Sequence, residues 1–536
     1  MNAEKKNYTL PIIVMIFLFG MISFVTNLAS PMGDILKNQF QVANWMGTLG
    51  VFANFIAYAI MGYPAGNMLQ KMGYKKTALV ATSVGFIGLG IQTLSGVYQS
   101  FGIYLLGAFI AGFSMCLLNT VVNPMLNKLG GGGDKGNQLI QTGGAFNSLC
   151  GTAVIILTGL LIPQGIKNAQ ISNVFPLMYA ALAIFAFAFL VILMTDIPEN
   201  KRNADAAKTA EKSKYGPLSF RHFVLGAVAI FVYVGVEVGI PNVLQKWLQN
   251  PELHILADAN PELGIVSEAA DEPVLPIVET GLEAVEESVQ ADAAVEIAAE
   301  TEVVATEAAA EVAEAAPVVE EAVAVVEDAA APAGDETVTA EEEVVAPVEA
   351  EETISQGGVT AEAIAGSITA MYWLLMLVGR LLGAAVGSKV SAKKMLMVVS
   401  AVGLALTAAA IFVDPQSNTF NMPAFNGANG FQMVNVPLNA ALLVLTGLCT
   451  SVMWGGIFNL AVEGLGKYTE KASGIFMVLV CGGGILPLLQ NAIIDNTNGG
   501  FGYLSSYWVI VGCLLFLLYY AVVGCKNVNK DIPVED

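Results

Sequence analysis

The sequence predicts an all-α membrane protein, with twelve transmembrane helices in two six-helix bundles and an acidic, disordered insertion. Three observations predict it. Of the 536 residues, 55% are hydrophobic and only 13% are charged, with a mean hydropathy of +0.64 that ordinary soluble domains do not approach. Apolar runs long enough to cross a bilayer recur along the chain. The basic residues collect in every second connection between those runs.

The runs come first in the argument because length decides them. A bilayer core about 30 Å thick needs about 20 apolar residues of helix at 1.5 Å rise. Twelve such spans are predicted, at 9–36, 45–70, 76–96, 101–128, 137–163, 174–195, 219–248, 359–387, 394–413, 436–465, 470–494 and 503–524. The run from Pro11 to Ala29 is too long for a cleavable leader and has no small-residue exit, so it reads as a retained first span.

Cationic loops stay on the cytoplasmic side, and 21 of the 24 Lys and Arg fall on one side of the predicted spans. These include Lys71, Lys75, Lys76, Lys128, Lys135, Arg380, Lys389, Lys393, Lys394, Lys467 and Lys471; only Lys37, Lys167 and Lys246 fall on the other. Both termini are therefore expected in the cytoplasm, and a bacterial inner membrane is the expected location. The longest basic connection follows the sixth span, which divides the chain into a bundle at 1–195, a linker at 196–218, a seventh helix at 219–248, the insertion at 249–356 and the remaining helices at 357–536.

The formal charge of −21 misleads about the body of the protein. Of its 45 acidic residues, 29 lie between Glu252 and Glu352, where there is no Lys or Arg, and the remainder carries a net +8. The insertion is rich in Ala, Glu, Val and Pro, a composition that cannot bury enough apolar surface to fold. Extra loop length costs little, so a tolerated external insertion is the expectation, with cation attraction as the functional alternative. With its concentrated field negative, the chain is expected to bind no nucleic acid.

Enzyme chemistry is not expected. Six cysteines lie in or beside apolar stretches without C-x-x-C spacing, and the two histidines form no metal motif. AVEGLGKYT lacks the spacing of a phosphate-binding loop, and GGGGDKGN from Gly130 suits a flexible connection. No metal or cofactor is called for.

The two halves echo one another. Gly62-x-x-x-Gly66 followed by Lys75-Lys76 returns as Gly379-x-x-x-Gly383 followed by Lys393-Lys394, and Asn123 with Leu129-Gly130 returns as Asn459 with Leu465-Gly466. Six plus six spans with weak repetition is the architecture of the major facilitator superfamily, whose bundles enclose a midplane site.

Polar side chains inside spans mark functional candidates, because they are costly unless they face the bundle interior. Asn119, Asn123 and Asn127 recur every four residues and make one stripe on span four. Asn27, Ser30 and Asp34 share a face of span one, and Asn147 lies on a small-residue face of span five. In the second half, Tyr233, Glu237 and Gln245 share a face of span seven with Asn242 nearby, and Asn459 lies in span ten. Amides and hydroxyls suit a sugar, while Tyr372, Trp373 and Trp454 offer rings for its apolar face. Interhelical hydrogen bonding is the competing role for the amides, and packing or interfacial anchoring for the aromatics. Glu237 stands apart: a mid-membrane carboxylate is disfavoured by about 2.5 to 3.5 kcal/mol, so it requires a polar or cationic partner.

Beyond architecture, the chain carries in order Asn123-Pro124, Ala145-Phe146-Asn147-Ser148, FVYVGVEVGIPNVLQKWL from Phe231, YWLLMLVGRLLG from Tyr372, and SVMWGGIFNLAVEGLGKYTEKASGI with CGGGILPLLQ. On these motifs it resembles the L-fucose permease and glucose/galactose permease branch of that superfamily. It implies import of a hexose or deoxyhexose with a proton or a sodium ion, by a monomer in the lipid bilayer. Two departures bear on coupling. An apparent insertion containing Pro31 separates Asn27-Leu28 from Asp34-Ile35-Leu36, where the family has a contiguous N-L-N-D-I-L. The family's glutamate four residues before Asn-Pro is Asn119 here, and an amide takes up no proton near neutral pH. Cation coupling therefore falls to Glu237, with Asp34 second, and the substrate set is Asn27, Asn119, Asn123, Asn147, Glu237, Asn242, Gln245, Tyr372, Trp454 and Asn459. The alternatives are an exporter of drugs or peptides and a membrane anchor or sensor that displays the acidic segment.

Overall fold

The computed structural model describes residues 8–40, 49–161, 170–198, 216–250, 253–263, 361–387, 389–425, 430–497, 501–529 and 531–534. Two units divide the chain, Met1–Glu268 with Gly357–Asp536, and Ala269–Gln356. The second unit, and with it nearly all of the acidic insertion, lies outside the described residues.

The first half consists of α1 (Thr9–Phe40), α2 (Leu49–Tyr98), α3 (Phe101–Leu129), α4 (Gly133–Leu161) and α5 (Phe175–Met194). After the linker come α6 (Arg221–Gln249) and a short α7 (Ile255–Ala259). The second half continues with α8 (Ala361–Val386), α9 (Ala392–Phe412), strands β1 (Thr419–Phe425) and β2 (Phe431–Pro437), α10 (Leu438–Thr450), α11 (Met453–Val462), α12 (Thr469–Val478), α13 (Gly482–Asp495) and α14 (Phe501–Tyr519).

Ten helical segments among the described residues are long and apolar enough to cross a membrane. One of them, Phe52–Tyr98, has 47 residues, about 70 Å of helix and more than twice a bilayer core. Its backbone turns at Gly73, with φ 81° and ψ 177°, a left-sided conformation that favours glycine. The turn falls inside the predicted gap between spans two and three. α4 is as long as α3, at 29 residues, but lies outside the ten.

Large apolar side chains face outward: Leu106 is 53%, Leu382 58% and Met194 86% exposed, whereas Asn119, Asn123, Gln141, Asn459 and Gln490 are buried. This inverts the soluble pattern and matches a lipid surround. Hydroxyls of Thr77, Thr120, Thr158 and Thr407 donate to the carbonyl four residues earlier, which satisfies them within their own helices.

Small-residue contacts join the halves. α2 packs on α12, where a Cβ on Gly66 would stand 3.0 Å from the Cα of Gly474. The Gly-x-x-x-Gly motif thus lets two backbones approach. α8 packs on α4, α6 and α10, and α13 packs on α6.

Two features depart from the expected plain helices. The predicted span at 470–494 is a broken one, α12 and α13 joined by a 3₁₀ turn at Leu479–Cys481. Gly482 to Gly484 and Pro487 explain it, since proline supplies no N–H to the helix ladder. Between α9 and α10 stands an antiparallel hairpin in the register Thr419↔Pro437 to Phe425↔Phe431, in a stretch to which the span prediction assigns no element and whose end takes in the first two residues of the predicted span at 436–465. The folded body also reaches into the first residues of the segment predicted as disordered. α7 buries Leu256, and the Asn260 side chain pairs with the β2 backbone, donating to the Asn435 carbonyl at 2.8 Å and accepting from its N–H at 2.7 Å.

Candidate substrate and coupling site

The α3 stripe forms as its four-residue spacing requires, and its amides bridge helices. Asn119 donates to the Tyr58 hydroxyl of α2 at 2.7 Å. Asn123 is wholly buried; it donates to the Asn119 carbonyl at 2.9 Å and accepts from the indole N–H of Trp454 at 3.0 Å. Asn127 donates to Asn459 on α11 at 2.6 Å. Two of the three asparagines therefore tie the first half to the second.

Arg380 is the centre of the charged part of the site. The charge count sets it with the cytoplasmic-side cations, although the predicted span at 359–387 contains it; it is buried within α8. One guanidinium nitrogen donates to the Gly144 carbonyl at 3.1 Å, the Asn147 side-chain oxygen at 3.3 Å and the Ser148 hydroxyl at 2.5 Å. The other meets the Glu237 carboxylate at 3.2 Å, where the Arg and Glu side chains are 10% and 15% exposed. A single cation thus joins α4, α6 and α8, and Glu237 has the cationic partner that its burial demanded. Asn147 also donates to the Phe19 carbonyl of α1 at 2.7 Å.

Aromatic groups pack around this polar belt. The Trp454 ring meets those of Tyr233 and Phe476 edge to face, at 6.3 and 6.2 Å between centroids. Tyr372 is buried, shares a hydrogen bond of 3.0 Å with Thr450 and stands edge-on to Trp373. Further along α6, the buried side-chain oxygen of Asn242 has no hydrogen-bond partner among the described residues. Neither does the amide of fully buried Gln490 on α13, which abuts Gly239.

The other predicted residues are more scattered. Asn27 donates locally, to the carbonyl and hydroxyl of Ser23. Gln245 is exposed, two turns beyond Glu237. The backbone of α1 runs helically through Pro31 and Asp34, but their side chains, and that of Ser30, lie outside the described residues.

Sequence reasoning missed Arg380, Tyr58 and Gln490. For Arg380 the signal was present: YWLLMLVGRLLG places an arginine inside an apolar run, where a charge needs a partner.

Residues 12–249 match the Major Facilitator Superfamily. A glucose/galactose transporter of Brucella abortus is 23% identical over 98% of this chain and 97% of its own. An L-fucose-proton symporter of Escherichia coli is 24% identical over 44% of this chain and 58% of its own. Among solved structures, a Major Facilitator Superfamily transporter, FucP, in the outward conformation superimposes with a TM-score of 0.61 at 16% identity, covering 97% of this chain and 100% of that one. The resemblance read from the sequence is borne out: residues 12–249 carry the Major Facilitator Superfamily domain, and the chain as a whole shares the fold of the FucP transporter.

Proposed function

We propose that this protein is a secondary active transporter that imports a hexose or deoxyhexose together with a proton. It works as a monomer in a bacterial inner membrane, by alternating access between two six-helix bundles. Splitting Phe52–Tyr98 at Gly73 and adding α4 to the apolar segments gives twelve crossings, with both termini and the linker cytoplasmic and the acidic insertion external.

The observation that carries the reading is the buried polar belt that crosses between the sequence halves, Asn123 with Trp454 and Asn147 with Arg380 and Glu237. Sugar hydroxyls both donate and accept, so they can take over the bonds these groups make to one another. The unpaired Asn242 oxygen and Gln490 amide favour a hydroxyl-rich ligand, since buried polar atoms left unpaired cost free energy. The names of the relatives, a glucose/galactose transporter and an L-fucose-proton symporter, support the same substrate class and the proton. Glu237 is the coupling carboxyl, with Asp34 the second candidate. Proton uptake at Glu237 would release Arg380 from its anion and loosen the tie between α6 and α8 while Arg380 keeps its bonds to α4, which links the proton to the helices that bind sugar.

Uptake of radiolabelled glucose, galactose and fucose by a transport-deficient host tests this. Accumulation of at least one, abolished by a protonophore, is the expected result; no accumulation of any would reject the reading. Reporters fused near Lys208 and Glu300 are expected to report cytoplasm and exterior respectively, and the reverse pattern would overturn the crossing count.

A further inference from the structure

The β-hairpin between α9 and α10 has two unlike faces. Met422, Ala424, Val434 and Val436 are buried against the body. On the other face the register pairs Pro423 with Met433 and Phe425 with Phe431. Phe425 is 46%, Met433 60% and Phe431 78% exposed, and the two phenylalanine rings meet edge to face at 5.4 Å. From Pro415 to Val462 the sequence has no charged residue. In water such a face would be an exposed apolar patch without charges to keep it soluble.

Its position says what covers it. The Phe425 N–H donates to the Ser367 hydroxyl on α8 at 2.8 Å. Leu374, Val378 and Leu381 follow Ser367 at i+7, i+11 and i+14, one helical stripe, and are 48%, 39% and 54% exposed. That stripe belongs to a segment long and apolar enough to cross a membrane, so it faces lipid. Ser367 stands about 10 Å along the axis from Leu374, which puts the hairpin at the upper edge of a lipid-facing surface. Nearby elements share this character. Phe412, the last residue of α9, is 75% exposed and pairs edge to face with Trp508, itself 50% exposed, as aromatic side chains at a bilayer rim do.

We propose that the outer face of the hairpin, Pro423, Phe425, Phe431 and Met433, is seated in the interfacial layer of the bilayer and anchors the α9–α10 connection to phospholipid. The absence of charge and the continuity with the α8 stripe favour lipid over a protein partner.

The test is tryptophan fluorescence of Phe431→Trp in lipid nanodiscs, with the parent protein measured in parallel to subtract its native tryptophans. Phosphatidylcholine brominated near the top of its chains is expected to quench the added emission by more than half, and aqueous iodide to leave it nearly unchanged. Quenching by iodide alone would put the face in water. Quenching by neither would mean that protein covers it, whether the acidic segment or a second copy. Either result overturns the proposal. Met433→Trp, on the same face, provides the same readout should the first variant fold poorly.

Discussion

The asparagine stripe of α3 and the Arg380 cluster of α8 both bring polar atoms into an apolar bundle, but they satisfy them differently. Asn119, Asn123 and Asn127 each meet a neutral side chain, the hydroxyl of Tyr58, the indole of Trp454 and the amide of Asn459. Interhelical bonds of this kind are worth about 0.6 kcal/mol on average within membranes, so they can be exchanged for bonds to a ligand at little cost. Arg380 instead satisfies a full charge with a carbonyl, an amide, a hydroxyl and a carboxylate drawn from two other helices. Leaving a buried charge without its partner costs about 3 to 5 kcal/mol. The neutral stripe suits binding that must reverse in each transport cycle, and the charged cluster suits an element whose state changes only when an ion arrives.

Removing the charge should produce the largest effect. Arg380→Leu leaves Glu237 in the bundle without its cation, and is expected to lower the thermal stability of the purified protein markedly and to abolish uptake. Glu237→Gln leaves a group that still accepts a hydrogen bond from Arg380 but cannot ionise. Its expected phenotype is selective: gradient-driven accumulation fails while exchange of labelled sugar across the membrane persists. Wild-type accumulation by the glutamine variant would exclude Glu237 from coupling, and wild-type stability of the leucine variant would show that the ion pair does not hold the helices.

A smaller effect distinguishes two amides. Asn123→Ala and Asn147→Ala are each expected to weaken sugar affinity by about 0.5 to 1.5 kcal/mol for one hydrogen bond, roughly two- to tenfold, with the protein still inserted. They should differ in coupling. Asn147 touches Arg380 as well as the Phe19 carbonyl, so its loss should lower the accumulation ratio too, whereas Asn123 touches neutral groups and should alter affinity alone. Binding isotherms and accumulation ratios for both variants check this. Equal coupling defects in the two would erase the distinction between the stripe and the cluster.

Much of this was legible in the sequence, because membrane crossing is set by length and hydropathy, which are local properties. The spacing of Asn119, Asn123 and Asn127 gave a true helical face for the same reason. Partners were not legible. Glu237 and Arg380 are 143 residues apart, and the charge count grouped Arg380 with the cytoplasmic-side cations although the predicted span at 359–387 contains it. The hairpin went unread because a search for long apolar runs passes over two seven-residue strands, although Asn426-Gly427 between them is a turn signal. Gln490 belonged to a quoted motif, but its burial against Gly239 depends on how α13 packs on α6.

The smallest expected effect concerns the outermost pair of the stripe. Asn127 and Asn459 share a bond of 2.6 Å between α3 and α11, which come from opposite halves of the chain. If the halves separate during transport, this bond must break once per cycle, so it should be weak enough to break readily and strong enough to bias one state. A double-mutant cycle on thermal stability with Asn127→Ala, Asn459→Ala and both is expected to give a coupling energy of about 0.6 kcal/mol, near the lower limit of what such cycles resolve. The single variants should bind sugar with nearly the parent affinity, which would take Asn459 out of the substrate set read from the sequence, because the Asn127–Asn459 bond involves none of Arg380, Trp454 and Glu237. A cycle that sums to zero would make the pair incidental to the seam. A large affinity loss in either single variant would instead extend the sugar site one turn further along α3.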